Sequence, residues 1–418
     1  MTAIPDIRRL GVAALLLAGA GGGACRGILN VELPAEIPTR RLDDPTLASA
    51  LVAGVIGDFE CAYNNYFAAS AVHSDEYEAT GGSPPYNYYA ERGIGKDEDD
   101  YVVGGCEAAS EGGSIFGIVT TLHTARFQAE DVYRRLDGWT DAQVKDRKIL
   151  MATVRAYGGY AYTYMGETWC AVSFDGGPAQ PPGVALLIAE QRFGEAISLA
   201  HQSGATDIVN LARVGLARVE NDLKKYPEAA AAARLVPPGY EKFADRGTET
   251  DRRWNKLYYW ATQFEAYVIA DAYRVMNDPR VLVVDAVRPA RGNPSVDFWY
   301  TSKYSVLSSP IRIASSREAR LILAEALAMQ GDVPGAMAIL NGRRAEVGLN
   351  QLTAGNADEA VDYVIEERRR ELSFEGAHRL NDLLRKKIPW KIGINKYTGL
   401  PYGSTKCWPF PTKEANGA

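Results

Sequence analysis

Apolar residues recur at helical spacing along much of the chain. Ile208, Leu211, Ala212, Gly215 and Leu216 share one helical face. That face lies between two related pieces, Arg192-Phe193-Gly194-Glu195-Ala196 and Lys225-Tyr226-Pro227-Glu228-Ala229, which are offset by 33 residues. The offset is close to the ~34-residue period of tetratricopeptide hairpins. Ala319, Ile322, Leu323 and Ala326 form a second such face at the start of a hairpin over 318–349, with Asp332 placed as an N-cap and Gly348 as a stop. One hairpin cannot bury its own apolar face, so several must stack and share a core. The pattern predicts a mainly α protein built on tetratricopeptide-like helix hairpins. Three stretches break it, near 80–100, 174–183 and 281–309; the first is rich in Gly, Pro, Tyr and charge, the second in Gly and Pro, the third contains Pro289 and Pro294, and all are expected to be long irregular loops. Loops on a rigid scaffold are where binding usually resides.

Residues 1–24 have the order of a signal peptide: Arg8 and Arg9, an apolar stretch over 10–17, then Gly21-Gly22-Gly23-Ala24. Cys25 follows directly, the position acylated in bacterial lipoproteins, although Gly22 stands where Leu is usual. No later stretch reads as long and apolar enough to cross a bilayer. Residues 25–418 are therefore expected to form a single anchored domain. Four cysteines remain, Cys61, Cys106, Cys170 and Cys407, an even number that suits two disulfides in an oxidising compartment. Three pairings are possible; Cys61–Cys106 with Cys170–Cys407 is the favoured one. The first would close a loop that chain entropy values at about 4 kcal/mol; the second would tie the tail to the middle of the chain.

The net charge of -6 and a pI of about 5.5 leave no basic footprint for nucleic acid. The acidic run Asp97-Glu98-Asp99-Asp100 reads as a solvated loop rather than a calcium site. His73, His123, His201 and His378 are scattered without metal-ligand spacing, and neither a phosphate-binding glycine loop nor a nucleophile elbow is present. No cofactor, metal or catalytic residue is expected, and the chain is read as a binding protein. Its rings point the same way: 23 Tyr and 7 Trp outnumber 11 Phe. Tyr and Trp join a large apolar face to a polar handle, which suits a surface that stacks on sugars.

The densest charge pattern is Glu367-Arg368-Arg369-Arg370-Glu371-Leu372-Ser373-Phe374-Glu375-Gly376-Ala377-His378-Arg379-Leu380-Asn381-Asp382-Leu383-Leu384-Arg385. It resembles the E-R-x-x-E-L-x-F-E-G-x-R-x-x-D-L-x-R pattern of SusD/RagB-like proteins, nutrient-binding lipoproteins of bacterial outer membranes, with one extra residue before Arg379. Arg317 to Ala326 with Gly331-Asp332 is similar to that family's penultimate helix pair. Arg155-Ala156-Tyr157 leading to Tyr164 and Gly166 resembles its "RA…Y…G" helix, and Cys407-Trp408-Pro409-Phe410-Pro411 with Glu414 stands where the family has L-P-I-P and a nearby Glu.

The resemblance implies a SusD-like helical scaffold with irregular ligand-binding loops, and a surface lipoprotein of the outer membrane. Such a protein would capture an oligo- or polysaccharide and pass it to a TonB-dependent (SusC-like) transporter. A peptide ligand, or a helical-repeat scaffold for surface assembly, are the alternatives. Ligand-contacting aromatics would come from an early loop and from the region before the penultimate helix pair. Two clusters fall there: Tyr86, Asn87, Tyr88 and Tyr89 beside Asp75, and Trp299, Tyr300 and Tyr304. Trp254 and Tyr258 would share one face of a helix with Tyr259 and Trp260 close by, and core packing is the expected role of that run.

Overall fold

The longest helix among the described residues is enclosed over its C-terminal half. In the computed structural model, which describes residues 41–81, 84–108 and 116–412, helix α1 (Ala48–His73) has every residue from Cys61 to His73 buried. With the 3-10 turn Pro45–Leu47 before it, this helix is long and apolar enough, at a mean hydropathy of 1.2, to cross a membrane by length and composition. The sequence predicts no such stretch; residues 61–73 of the helix are enclosed by protein, whereas 44% of the apolar window is buried. The signal peptide 1–24, Cys25 and Glu414 lie outside the described residues. The chain forms two compact units that divide after Asp44, and the elements below belong to the unit that begins at Pro45.

Strand β1 (Tyr77–Ala79), helices α2 (Pro84–Ala90) and α3 (Asp99–Val102) precede the helical scaffold proper. That scaffold runs through α4 (Ile118–Gly138), α5 (Arg147–Thr168), α6 (Gly183–Ser203), α7 (Thr206–Asp222) and α8 (Tyr226–Arg234), each packed on the next. Phe193 of α6 is wedged between α5 and α7, where a Cβ on Gly159 or Gly215 would come within 2.7 and 2.3 Å of its ring. After strand β2 (Glu241–Ala244) comes a π-helix, Tyr258–Gln263, then β3 (Tyr267–Ile269), α9 (Asp271–Arg274), and the hairpin β4 (Val283–Ala290) and β5 (Asn293–Thr301). Strand β6 (Ile311–Ser315) leads into α10 (Ser316–Met329), α11 (Val333–Glu346), α12 (Ala357–Glu371) and α13 (His378–Arg385).

The expected hairpin over 318–349 forms as α10 and α11. Asp332 accepts the Gly335 N–H at 2.9 Å, and Gly348 follows α11 with φ +74. Its apolar residues and those of α12 make a smaller core beside the main one. The expected loops need correction. Residues 84–90 are helical, and 283–301 are an antiparallel hairpin pairing Val284 with Tyr300 and Asp285 with Trp299. Pro289 is tolerated there because it stands at a register shift in β4. Strands β1–β3 and β2–β6 form two further antiparallel pairs.

Both disulfides form in the favoured pairing, Cys61–Cys106 and Cys170–Cys407, each with Cα atoms 5.1 Å apart. Asp97 of the acidic run accepts the N–H and hydroxyl of Thr412 at 2.9 and 2.8 Å, so it fastens the C-terminal segment.

Candidate functional site

Asn64 projects from α1, donates to the Trp254 carbonyl at 2.8 Å and accepts the Lys256 N–H at 3.0 Å. Asn255 donates to the Ser309 carbonyl at 3.0 Å, and its Oδ1 accepts the Tyr258 N–H at 2.9 Å, which closes the start of the π-helix. The chain is thereby fixed to the main core on the side that bears the rings. In the wider π turn the Phe264 N–H reaches the Tyr259 carbonyl at 2.7 Å, five residues back, and residues at that spacing share a side. Tyr259 and Phe264 lie 6.2 Å apart between ring centroids. Trp254 packs on Tyr259 at 5.4 Å, Tyr86 on Phe264 at 5.6 Å, and Trp260 lies beneath both Tyr86 and Phe264 at 5.1 and 4.9 Å. Trp260 is the buried floor; Trp254, Tyr86 and Tyr259 are half-buried, and Phe264 is 45% exposed.

Beside this platform runs a groove of about 480 Å³. Tyr258 and Thr262 of the π-helix line one wall; Ala286, Arg288, Phe298 and Tyr300 of the β4–β5 hairpin line the other, with Ser302, Tyr304 and Ser305 at the end. The Phe298 and Tyr300 rings stack at 5.6 Å, and the Arg288 guanidinium stands 4.7 Å above Phe298. Glu265, which follows Phe264, receives both terminal nitrogens of Arg288 at 3.1 and 2.7 Å and the Arg291 N–H at 2.6 Å. Burial pushes the Glu265 carboxyl up, but these donors outweigh it and hold the group below its usual range. Glu265 and Val287 both sit at positive φ, 64 and 54, so the two segments flanking the groove carry backbone strain. Among the described residues the hydroxyls of Tyr258, Thr262, Tyr300 and Ser302 make no hydrogen bond to protein, which leaves them to the groove.

A second cavity, of about 360 Å³, lies between α10 and α11. Its arginines pair with its glutamates, Arg343 with Glu371 at 2.9 Å and Arg320 with Glu346 at 3.4 Å, and no ring lines it. The aromatic groove is the better ligand surface. Among the described residues no group of His, Cys, Asp or Glu is arranged to hold a metal ion.

Residues 311–406 match the SusD family. Solved structures of that kind share the fold over most of the chain. Surface glycan-binding protein A from Bacteroides thetaiotaomicron, solved in complex with laminarihexaose, is 16% identical with a TM-score of 0.67, covering 89% of this chain and 97% of its own. The chain has a SusD-like fold, and its residues 311–406 carry the match to the SusD family. A laminarin-binding SusD-like protein is 16% identical with a TM-score of 0.66, over 89% of this chain and 97% of the other. A SusD-like carbohydrate-binding protein from Bacteroides vulgatus is 14% identical with a TM-score of 0.63, over 84% and 86%. No curated protein matches the sequence.

In this SusD-like chain the dense charge pattern of α12 and α13 is a buried lock, away from the groove wall. Glu367 pairs with Arg280 at 2.7 Å, Glu371 with Arg343 at 2.9 Å, Arg368 with Asp382 at 3.0 Å, and Glu375 with Lys303 at 3.0 Å. Gly376 sits at φ +61 between the two helices, where a Cβ would meet the Phe67 backbone at 2.8 Å. The pattern thus records how α12 and α13 close on α1.

The structure separates the expected ligand residues. Tyr300 lines the groove and Tyr86 joins the platform. Tyr304 reaches the groove end, yet it is 5% exposed and donates its hydroxyl to the Phe374 carbonyl at 3.0 Å, so it is core. Tyr89 is core as well, set edge-on against Phe116 at 4.8 Å, and Asn87 is buried. Tyr88 is half-buried against the same core. Asp75 is bound at both oxygens by Arg379, each at 2.6 Å, which leaves it a structural partner of α13. Trp299 points to the strand face opposite Tyr300, under the Arg274 guanidinium at 5.5 Å. Trp254, Tyr258, Tyr259, Thr262, Phe264 and Arg288 complete the site. Helical spacing predicts core packing for Trp254, Tyr258 and Tyr259; the chain instead ends a 3-10 turn at Trp254 and enters a π-helix at Tyr258, and all three are half-buried.

Proposed function

We propose that this SusD/RagB-like chain binds an oligo- or polysaccharide and catalyses no reaction on it. The observation that carries the reading is the pairing of a partly exposed aromatic platform with a groove whose hydroxyls have no protein partner. Ring faces stack on the C–H faces of pyranoses while the hydroxyls of Tyr258, Thr262 and Tyr300 exchange hydrogen bonds with those of the sugar. The names of the structural relatives, which include a laminarin binder and a laminarihexaose complex, support the ligand class.

In the same proposal residues 1–24 direct export, acyl chains on Cys25 hold the protein to the outer membrane at the cell surface, and a TonB-dependent transporter receives the bound glycan. The two disulfides favour an oxidising compartment and so an exported protein. The experiment that tests the reading is titration calorimetry of residues 26–418 against neutral and acidic oligosaccharides and a set of peptides. Saturable glycan binding is expected; binding of peptides alone would replace the ligand class, and no binding to either would leave a scaffold role in its place.

A further inference from the structure

We propose that the saccharide taken by the groove carries negative charge, as a uronate carboxylate or a sulfate ester; this rests on the glycan-binding reading above. The groove wall has a surplus of guanidinium. Arg288 and Arg291 share one carboxylate, that of Glu265, whose side chain is fully buried while theirs are 45% and 72% exposed. Both oxygens of Glu265 are taken by Arg288, and one also accepts the Arg291 N–H. Glu265 therefore cannot turn to a ligand; the three groups sum to one positive charge, and of the two guanidiniums Arg288 lines the groove.

No lining side chain offsets that charge. The groove residues include no Asp, Glu, Asn or Gln. Asp285 stands opposite Trp299 in the hairpin register, on the strand face away from Phe298 and Tyr300, and its Oδ1 accepts the Val287 N–H at 2.8 Å. Lys303, the next cation along the chain, is spent on the Ser373 carbonyl and Glu375 at 2.7 and 3.0 Å. A neutral sugar donates its hydroxyl protons to acceptors, and carboxylates and amides are the strong ones. The lining side chains offer only hydroxyl oxygens as acceptors, beside Arg288, whose Nη1 is spent on Glu265 and the Pro289 carbonyl while its Nε edge, with the outer Nη2 hydrogen, fits a carboxylate or a sulfate. The surplus also runs against the net charge of -6 of the whole chain, so it is a local arrangement.

The test is calorimetry of residues 26–418 with hexagalacturonate, a sulfated hexasaccharide, laminarihexaose and poly-glutamate, at low and high salt. At least one acidic saccharide is expected to bind about tenfold tighter than laminarihexaose, the scale of one charge-assisted hydrogen bond, and to lose that margin as salt screens it. Whether the uronate or the sulfate gains tells which anion the fork takes. Arg288→Gln should remove the margin, lowering affinity for the acidic saccharide about tenfold more than that for laminarihexaose. Arg291→Gln, at a more exposed position, should reduce it, and supplies the reading if Arg288→Gln does not fold. Equal binding of neutral and acidic saccharides, unmoved by either variant, would overturn the charge proposal and keep the glycan reading. Binding of poly-glutamate alone would overturn the saccharide claim, and silence across all four probes would overturn both.

Discussion

Lys256 stands two residues after Trp254, with its Nζ buried and without a hydrogen-bond partner among the described residues. Burial drives its pKa down from 10.5 to about 7, against a partial lift from Glu107 and Asp251. The sign follows from proton counting: between 7 and 10.5 the unfolded chain holds a proton that the folded chain lacks, so raising the pH through that window favours folding. The penalty is complete below 7. Lys256→Met should accordingly stabilise the protein at pH 6, by on the order of a few kcal/mol, and the gain should shrink towards pH 10. Denaturant midpoints of both proteins across that range check it, and a gain independent of pH would show that the ammonium is not the cause. The neighbouring strand gives a second test at this scale. Tyr300 faces the groove while Trp299 packs against the main core under Arg274. Tyr300→Ala is expected to weaken saccharide binding by about tenfold or more. Trp299→Ala should leave affinity within about twofold. The reverse order would place the ligand on the other face of the hairpin.

At the scale of elements, what could be read in advance depended on period and caps. Ala319, Ile322, Leu323 and Ala326 at helical spacing, with Asp332 and Gly348 as punctuation, were enough to find α10 and α11. The β4–β5 hairpin was hidden because Pro289 and Pro294 mark loops in a linear reading, and only the register shift shows how a strand carries them. The π-helix was hidden because its repeat is neither of the two that sequence patterns test, so Tyr259 and Phe264 looked unrelated. Asp75 shows the same limit for a single charge. It reads as a ligand acid beside an aromatic cluster, and its partner Arg379 is distant in sequence. Asp75 joins the turn after α1 to α13, and Asp75→Ala would strand a guanidinium that is 8% exposed. A loss of about 3–5 kcal/mol is expected, with saccharide affinity retained by the folded fraction. Burial raises the Asp75 carboxyl, but the Arg379 bonds and charge lower it further. That contribution is thus present above 3.8 and lost as pH falls below it, and the gap between the two proteins should narrow in acid. Lost affinity at unchanged stability would return Asp75 to the ligand site.

For the whole molecule the decisive closure is at the C-terminus. Cys407 is bonded to Cys170 at the end of α5, across 237 residues, and Trp408 is fully buried beside it. Trp408 also exchanges backbone hydrogen bonds with this corner, donating to the Thr168 carbonyl at 2.7 Å and accepting the Cys170 N–H at 2.9 Å, while its ring stands edge-on to Tyr66 of α1 at 5.5 Å. The tail therefore seals the junction of α1 and α5, the two helices on which the scaffold and the aromatic segment both rest. The other disulfide encloses a separation of only 45 residues, next to the carbonyl of Gly105 that Asn65 holds at 3.0 Å. If the crosslinks act by restricting the unfolded chain, the longer loop matters more. Removing Cys170 and Cys407 together should cost about 5 kcal/mol and removing Cys61 and Cys106 about 4. The buried indole and the backbone hydrogen bonds of Trp408 remain in the first variant, so the tail should stay docked at low denaturant and be cut by protease only as the whole chain opens. Cleavage near residue 403 in the native state would instead show that the disulfide alone holds the tail. A larger loss from the short loop would mean that the contacts around Gly105, rather than chain entropy, set the value of that bond.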